Sequence, residues 1–392
     1  MIGKLNRDGD RGRSIRERVV AGAVVAVAMV PSAGVAHAMV NGVPVADAET
    51  ARWVATIDPV GNGSLFDTAQ CGGALVRPDR VVTAAHCVDS VDPGRMKIHI
   101  DARVLSKQPG IERAVRGIAV LPGYALRPSP ADPDDVDLDS ASDDLAVIAL
   151  DRPVEDVPVL PIAAAGPVPG TAVSFFAHGN TGKAVGFEDP EYRNDALYRG
   201  DFTAMSHADC VAGLSPAVDE RSVMCVQDTS ARPVASCFRD SGSPAVVDVA
   251  GRPELVGLFS FGGEIVGKGC GPAPQGFADP TAFRDWILGP LDAWEPYPTA
   301  VPVVRRTDGS LHCDPPRWDE VRGGRPDNVA TGWANRTWMG QLPIVAPIAG
   351  ADTADLAIAD AARRPGDAVC VVTAKNAGGV IRTVSEGVDV HA

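Results

Sequence analysis

Aromatic residues make up only 5% of this 392-residue chain, against 41 glycines and 33 prolines. A chain so poor in large rings and so rich in turn formers favours a turn-rich, mostly β protein over a helical bundle. Basic residues are also scarce, with 36 Lys and Arg facing 50 Asp and Glu for a formal net charge of −14. That balance argues against nucleic acid or an anionic membrane as partner, since both ask for basic surface. None of the eight cysteines forms a C-x-x-C pair, which argues against zinc and redox motifs. No internal repeat is visible. Near the N-terminus the apolar run from Val19 to Val30 is about 12 residues long, too short to span a bilayer comfortably.

That run does fit an export signal. Lys4, Arg7, Arg11, Arg13, Arg16 and Arg18 form a basic n-region, Val19 to Val30 the apolar h-region, and Ala36-His37-Ala38 the small-x-small cleavage pattern. The n-region has no adjacent Arg pair, so it gives no clear twin-arginine signal. Residues 1–38 are therefore expected to be a signal peptide on a secreted, extracellular protein with no stable membrane anchor. In an exported chain, eight cysteines point to disulfides.

Three separated stretches carry the chemistry. Cys237-Phe238-Arg239-Asp240-Ser241-Gly242-Ser243-Pro244 places a serine in a tight turn, where consecutive main-chain N–H groups can point into one small cavity. A serine hydroxyl is a poor nucleophile alone and needs a base. Thr83-Ala84-Ala85-His86-Cys87 offers one, after the short apolar strand Arg80-Val81-Val82 and before a cysteine that can lock the loop. Asp143-Asp144-Leu145-Ala146-Val147-Ile148-Ala149-Leu150 puts a carboxylate at the mouth of a buried strand, where it can hold the imidazole in one tautomer. Asp144, directly before the apolar run, fits that role better than Asp143.

These motifs, in the order His, Asp, Ser, resemble the chymotrypsin/trypsin family of secreted serine endopeptidases over roughly residues 39–290. The resemblance implies two packed six-stranded β-barrels with a C-terminal helix, and His86, Asp144 and Ser241 as the catalytic triad. It implies an oxyanion hole from the backbone N–H groups of Arg239 and Ser241. It implies the disulfides Cys71–Cys87, Cys210–Cys225 and Cys237–Cys270, leaving Cys313 and Cys370 free to pair with each other. Met39-Val40-Asn41-Gly42 resembles the family's mature start, which implies an ion pair between a new Met39 amine and Asp240. Partners are protein or peptide substrates, and neither cofactor nor metal is expected.

Along the chain, Trp53 to Ile57, Cys71 to Val76, Met96 to Ile100 and Arg113 to Val120 read as strands. Ala131 to Asp144 holds seven Asp. Clustered carboxylates suit calcium, but the stretch lacks the glycine and terminal glutamate of an EF-hand loop, so it reads as a solvated acidic loop. Ala172 to Thr181 resembles a family strand and turn with His178 as a packing substitute. Met205 to Leu214 reads as a short helix, and Thr281 to Leu288 as the closing amphipathic one. The expected organisation is a protease domain at 39–294, a Pro-rich linker at 295–302 and a C-terminal β domain at 303–392. Ser310 to Cys313 and Ala368 to Asn376 read there as Cys-bearing strands flanking Trp333 and Trp338, suggesting a small immunoglobulin- or fibronectin-like sandwich. The fold class is thus all-β throughout.

Two departures from the family pattern bear on activity. Arg239 stands where the family most often has Gly, which leaves open a narrowed substrate range, slower turnover or a catalytically inactive homologue acting as a secreted binding protein. At the specificity pocket, counting back six residues from Ser241 reaches Ala235, where a carboxylate would select basic side chains. With Ser236, Ser260, Phe261, Gly262 and Gly276 as neighbours, the pocket is expected to be open, neutral and suited to apolar side chains.

Overall fold

The computed structural model describes residues 39–391 apart from 62, 130–138, 181–192, 215–216, 263–264, 267–268 and 340–341. The expected signal peptide and most of the Asp-rich loop lie outside the described residues. Among those described, no helix is long and apolar enough to cross a membrane.

Six strands close the first barrel: β1 (Val54–Asp58), β2 (Cys71–Arg77), β3 (Arg80–Thr83), β4 (Lys97–Ile100), β5 (Ile111–Val120) and β6 (Ala146–Leu150), in the order β1-β2-β3-β6-β5-β4. Every ladder is antiparallel. The apolar runs seen in the sequence face inward, with Ile57, Leu75, Ile98, Ile118 and Ile148 fully buried. The second barrel uses β7 (Ala172–Ala177), β8 (Tyr198–Ala204), β9 (Val223–Gln227), β10 (Pro244–Val249), β11 (Arg252–Gly262) and β12 (Gln275–Ala278). Its order is β8-β7-β10-β11-β12-β9, closed by pairing of β9 with β8. Its core centres on Phe175 and Phe277, whose rings meet edge to face at 5.3 Å. Full closure leaves neither barrel an open edge to aggregate.

Helix is sparse. Ser206 caps the segment His207–Gly213, accepting a hydrogen bond from the Asp209 N–H, and this segment carries Cys210. The closing helix is shorter than the periodicity predicts, spanning Arg284–Leu288, because Asp279 accepts from the Thr281 N–H and hydroxyl and holds the chain in a turn there. Four disulfides staple the chain: Cys71–Cys87, Cys210–Cys225, Cys237–Cys270 and Cys313–Cys370.

Beyond the barrels, β13 (Val303–Arg306), β14 (Ser310–Asp314) and β17 (Asp355–Ala357) form a three-stranded sheet. Strands β15 (Asn328–Met339), β16 (Leu342–Pro347), β18 (Asp367–Asn376) and β19 (Gly379–Val384) form a four-stranded one. Cys313 and Cys370 join the two sheets over a core containing Trp333 and Leu356. The proline-rich stretch is not a solvated spacer: Glu295 and Tyr297 are buried. The Glu295 N–H donates to the Ile118 carbonyl, and the Val120 N–H to the Gly378 carbonyl, so the rim of β5 holds both the connector and the β18–β19 turn.

Candidate active site

Strand register brings the three motifs together. Thr83 pairs with Ala146 across the antiparallel β3–β6 ladder. Three residues beyond Thr83 and two before Ala146 therefore lie at the same barrel end, and those residues are His86 and Asp144. His86 sits in a short 3₁₀ turn, Ala85–Cys87, pinned by the Cys71–Cys87 bridge. Its Nδ1 lies 2.8 Å from Asp144 Oδ2, and its backbone N–H donates to Oδ1 at 2.9 Å. Two contacts from one residue to one carboxylate fix both ring position and tautomer.

The second barrel supplies the serine by the same logic. Pro244 pairs with Leu258, so the Ser241 turn and the Ser260–Gly262 segment share an end of the β10–β11 ladder. Gly242 is required: at φ 71° and with a Cβ only 2.3 Å from Thr83 Oγ1, no side chain fits. The Gly242 N–H donates to the Phe259 carbonyl and the Ser243 N–H to that of Asp240, which makes the turn rigid. Across the barrel interface the Gly72 N–H donates to the Ser241 carbonyl at 2.7 Å. His86 and Ser241 line one cavity of about 290 Å³, together with Phe238, Phe259, Ser260, Phe261 and Gly262.

Asp144 is 1% exposed. Burial pushes its pKa up, but the facing imidazole and the hydrogen bonds from His86 and Ser260 outweigh that and hold it below the usual value. Burial likewise opposes the charged imidazolium at His86, yet the Asp144 carboxylate wins and raises its pKa. Asp143 turns away: its Oδ2 pairs with Arg221 at 2.8 Å. His178 lies apart from the cavity, and burial drives its pKa down to about 4. It is a neutral packing residue.

Ser260 does more than the sequence suggests. It lines the cavity, and its hydroxyl also donates to Asp144 Oδ2 at 2.5 Å, joining the barrels at the site. Asp240 is fully buried, its carboxylate accepting from the Gly179 and Cys237 N–H groups at 2.8 Å each. Burial raises its pKa to about 8. The Met39 side chain is buried in the second barrel's core, and Val40 exchanges backbone hydrogen bonds with Ala235. Arg239 adopts φ 71°, a conformation that suits glycine. Its guanidinium donates to the Asp67 carbonyl at 3.1 Å and lines a separate small pocket, leaving the Ser241 cavity uncrowded by the side chain.

Of the residues expected at the specificity pocket, Ser260, Phe261 and Gly262 line the cavity. Ala235 and Ser236 are buried and do not line the cavity. Gln275, which the motif count missed, lies opposite Gly262 in the β11–β12 ladder and is fully buried. Its Oε1 accepts from the Ser236 N–H and its Nε2 donates to the Ala273 carbonyl. Gly276 sits under the Phe261 ring, whose Cζ lies 2.6 Å from any added Cβ. Only the β11–β12 register exposes this arrangement, since spacing from Ser241 says nothing about a strand more than thirty residues on. The cavity's other wall, Leu126 with Asp139 to Ala141, also escaped the motif reading. Among the described residues, the one close grouping of metal-type ligands is Cys71, His86 and Cys87. Its sulfurs are already joined as a disulfide.

The sequence profile of the trypsin family matches residues 39–287. The chain belongs to the trypsin family. It is 27% identical over 228 residues to a trypsin of Saccharopolyspora erythraea, covering 57% of this chain and 87% of that one. To brachyurin of Leptuca pugilator it is 28% identical over 224 residues, covering 55% and 85%. Among solved structures it resembles mouse neuropsin, titled a serine protease expressed in the limbic system, with a TM-score of 0.50 and 22% identity over 64% of this chain and 98% of that chain. The likeness to neuropsin is one of fold. The family match stops before the C-terminal sheets.

Proposed function

We propose that this trypsin-family member is a secreted serine endopeptidase working through an acyl-enzyme. The observation that carries the reading is the buried Asp144 holding His86 Nδ1 beside the cavity that Ser241 shares. In this scheme Ser241 Oγ attacks the scissile carbonyl carbon while His86 Nε2 takes its proton. Backbone N–H groups of Arg239 and Ser241 receive the oxyanion. His86 then protonates the departing amine, and water repeats the sequence to release the acid and restore Ser241. Cleavage follows neutral or apolar residues, because Ala235 stands where a carboxylate would select basic side chains and the neighbouring Gln275 amide, bonded to the Ser236 N–H, carries no charge.

Residues 1–38 serve as the export signal, and cleavage before Met39 frees the amine that pairs with Asp240. The already buried Met39 side chain and the Val40–Ala235 ladder support that docking. Residues 39–294 form the catalytic domain, and 303–392 a second domain engaged in substrate capture. A fluorophosphonate label tests the reading directly: wild type reacts and Ser241→Ala does not. A folded mature protein that stays unlabelled would instead be an inert, binding homologue. N-terminal sequencing of the labelled protein is expected to start at Met39.

A further inference from the structure

A cleft of about 430 Å³ lies between the rim of the first barrel and the outer face of the four-stranded C-terminal sheet. Strand pleating explains which side chains reach it. Trp333 and Cys370 point inward to the disulfide-linked core. Residues three positions away on the same strands therefore point outward, which places Arg336 and, two further on, Trp338 on the cleft face. Arg382 pairs with Thr373, three residues from Cys370, and faces the same way. Trp338 is 54% exposed, yet it is held in place by the Arg336 guanidinium 5.3 Å from its ring centroid. Arg336 is in turn tied to Asp367 and the Ser385 carbonyl. An exposed tryptophan on so fixed a mount is a recognition platform.

Cations outnumber carboxylates among the residues lining the cleft, with Arg336 already paired to Asp367 and Arg382 partly offset by Asp89 just outside it. Arg95, Arg336 and Arg382 line it, and the single lining carboxylate among the described residues, Asp92, is buried and accepts from Thr383 Oγ1 at 2.6 Å and the Gly94 N–H at 2.9 Å. On a protein of net charge −14, this is a local basic and apolar site.

Its position relates it to Ser241. Gln70 lines the cleft and precedes Gly72, whose N–H donates to the Ser241 carbonyl at 2.7 Å, by two residues. Two residues of extended chain span about 7 Å. Ser90, also lining the cleft, is four residues past His86. Phe259 to Gly262 line the Ser241 cavity, which includes neither Gln70 nor Ser90. Gln70 and Ser90 thus connect the cleft, along short stretches of chain, to the Ser241 turn and to His86.

We propose, resting on the endopeptidase reading, that this cleft binds the leaving-group half of the substrate as an extended segment with an apolar residue next to acidic ones. The apolar side chain stacks on Trp338 against Val60 and Val91, and the carboxylates meet Arg95 and Arg382. The C-terminal sheets thereby become part of the substrate-binding surface and set a preference that the barrels alone lack.

Peptides identical through an alanine at the scissile bond, followed by six residues that are Leu/Glu-rich, Leu/Gln-rich or Leu/Lys-rich, test this. The Glu peptide is expected to exceed the Gln peptide about tenfold in kcat/KM, chiefly through KM, as two partly exposed charge contacts allow. The double variant R95Q/R382Q levels the three peptides while leaving an alanyl anilide, which has no leaving-group residues, unchanged. W338A raises KM for all three. Equal kcat/KM for the three peptides in a fluorophosphonate-reactive enzyme overturns the cleft. Anisotropy of the labelled Glu peptide on Ser241→Ala protein needs no catalysis: binding lost in R95Q/R382Q supports the cleft even if wild type proves inert, and equal affinity for all three peptides refutes it.

Discussion

Ser260 donates to the same Asp144 oxygen that faces His86 Nδ1, so it helps set where the imidazole points without touching substrate chemistry itself. A hydrogen bond to a charged group is worth roughly 1.5–3 kcal/mol. Ser260→Ala is therefore expected to lower kcat about ten- to a hundredfold with little change in folding, and Ser260→Thr to recover part of it. The ascending limb of kcat/KM against pH, which reports deprotonation of His86, should have its midpoint above the ordinary 6.5, because Asp144 outweighs burial at that ring. An Asp144→Asn enzyme should lose that upward displacement. Gln275 offers the specificity test. Replacing it with Ala removes the amide that bonds Ser236 and Ala273, so turnover of peptides with Leu or Phe at the cleaved position should rise relative to those with Ala. An unchanged ranking in a peptide-library profile would place the selectivity elsewhere.

The turn Cys237 to Pro244 carries an electrostatic load of its own. Burial raises Asp240 from 3.8 to about 8, so between those values the folded chain keeps a proton that the unfolded chain releases. Stability from this group is thus full below about pH 4 and declines as pH rises towards 8. In a chain still joined at Ala38–Met39, urea unfolding at pH 5 and pH 8 should show this loss, and Asp240→Asn should remove it. Once a Met39 amine is free to pair with the carboxylate, the decline should largely disappear. The same slope in precursor and cleaved protein would mean that the amine never reaches Asp240.

Barrels and C-terminal sheets are joined through hydrogen bonds and close backbone packing. Gly378 packs on the Trp294 backbone, the Asn376 amide donates to the Trp294 carbonyl at 2.9 Å, and the Ser90 N–H donates to the Val380 carbonyl. Ending the chain after Trp294 would remove the partners of the Val120 and Ser90 N–H groups and of the Ile118 carbonyl. At roughly 1 kcal/mol per hydrogen bond, and 2–4 °C per kcal/mol for a barrel pair of this size, the truncated protein is expected to melt about 6–12 °C lower. Calorimetry of the two forms checks this, and equal melting temperatures would show that the sheets are dispensable for stability.

The sequence by itself determined the catalytic candidates, the alternation and turn chemistry of the strands, and the cysteine-rich β character of both regions. Those are local properties: a His beside a Cys, an Asp opening an apolar run, a Ser between Asp and Gly. Tertiary structure alone decided what lies opposite what. That Thr83 pairs with Ala146, that Gln275 lies opposite Gly262, and that Ser260 reaches Asp144 from the other barrel are consequences of register and barrel closure. The cleft beside Trp338 is likewise invisible in the chain. It exists because a turn at Gly378 docks on Val120 at the rim of β5, 258 positions away, and hydrophobic patterning specifies which face of a strand is buried but not which surface will cover it.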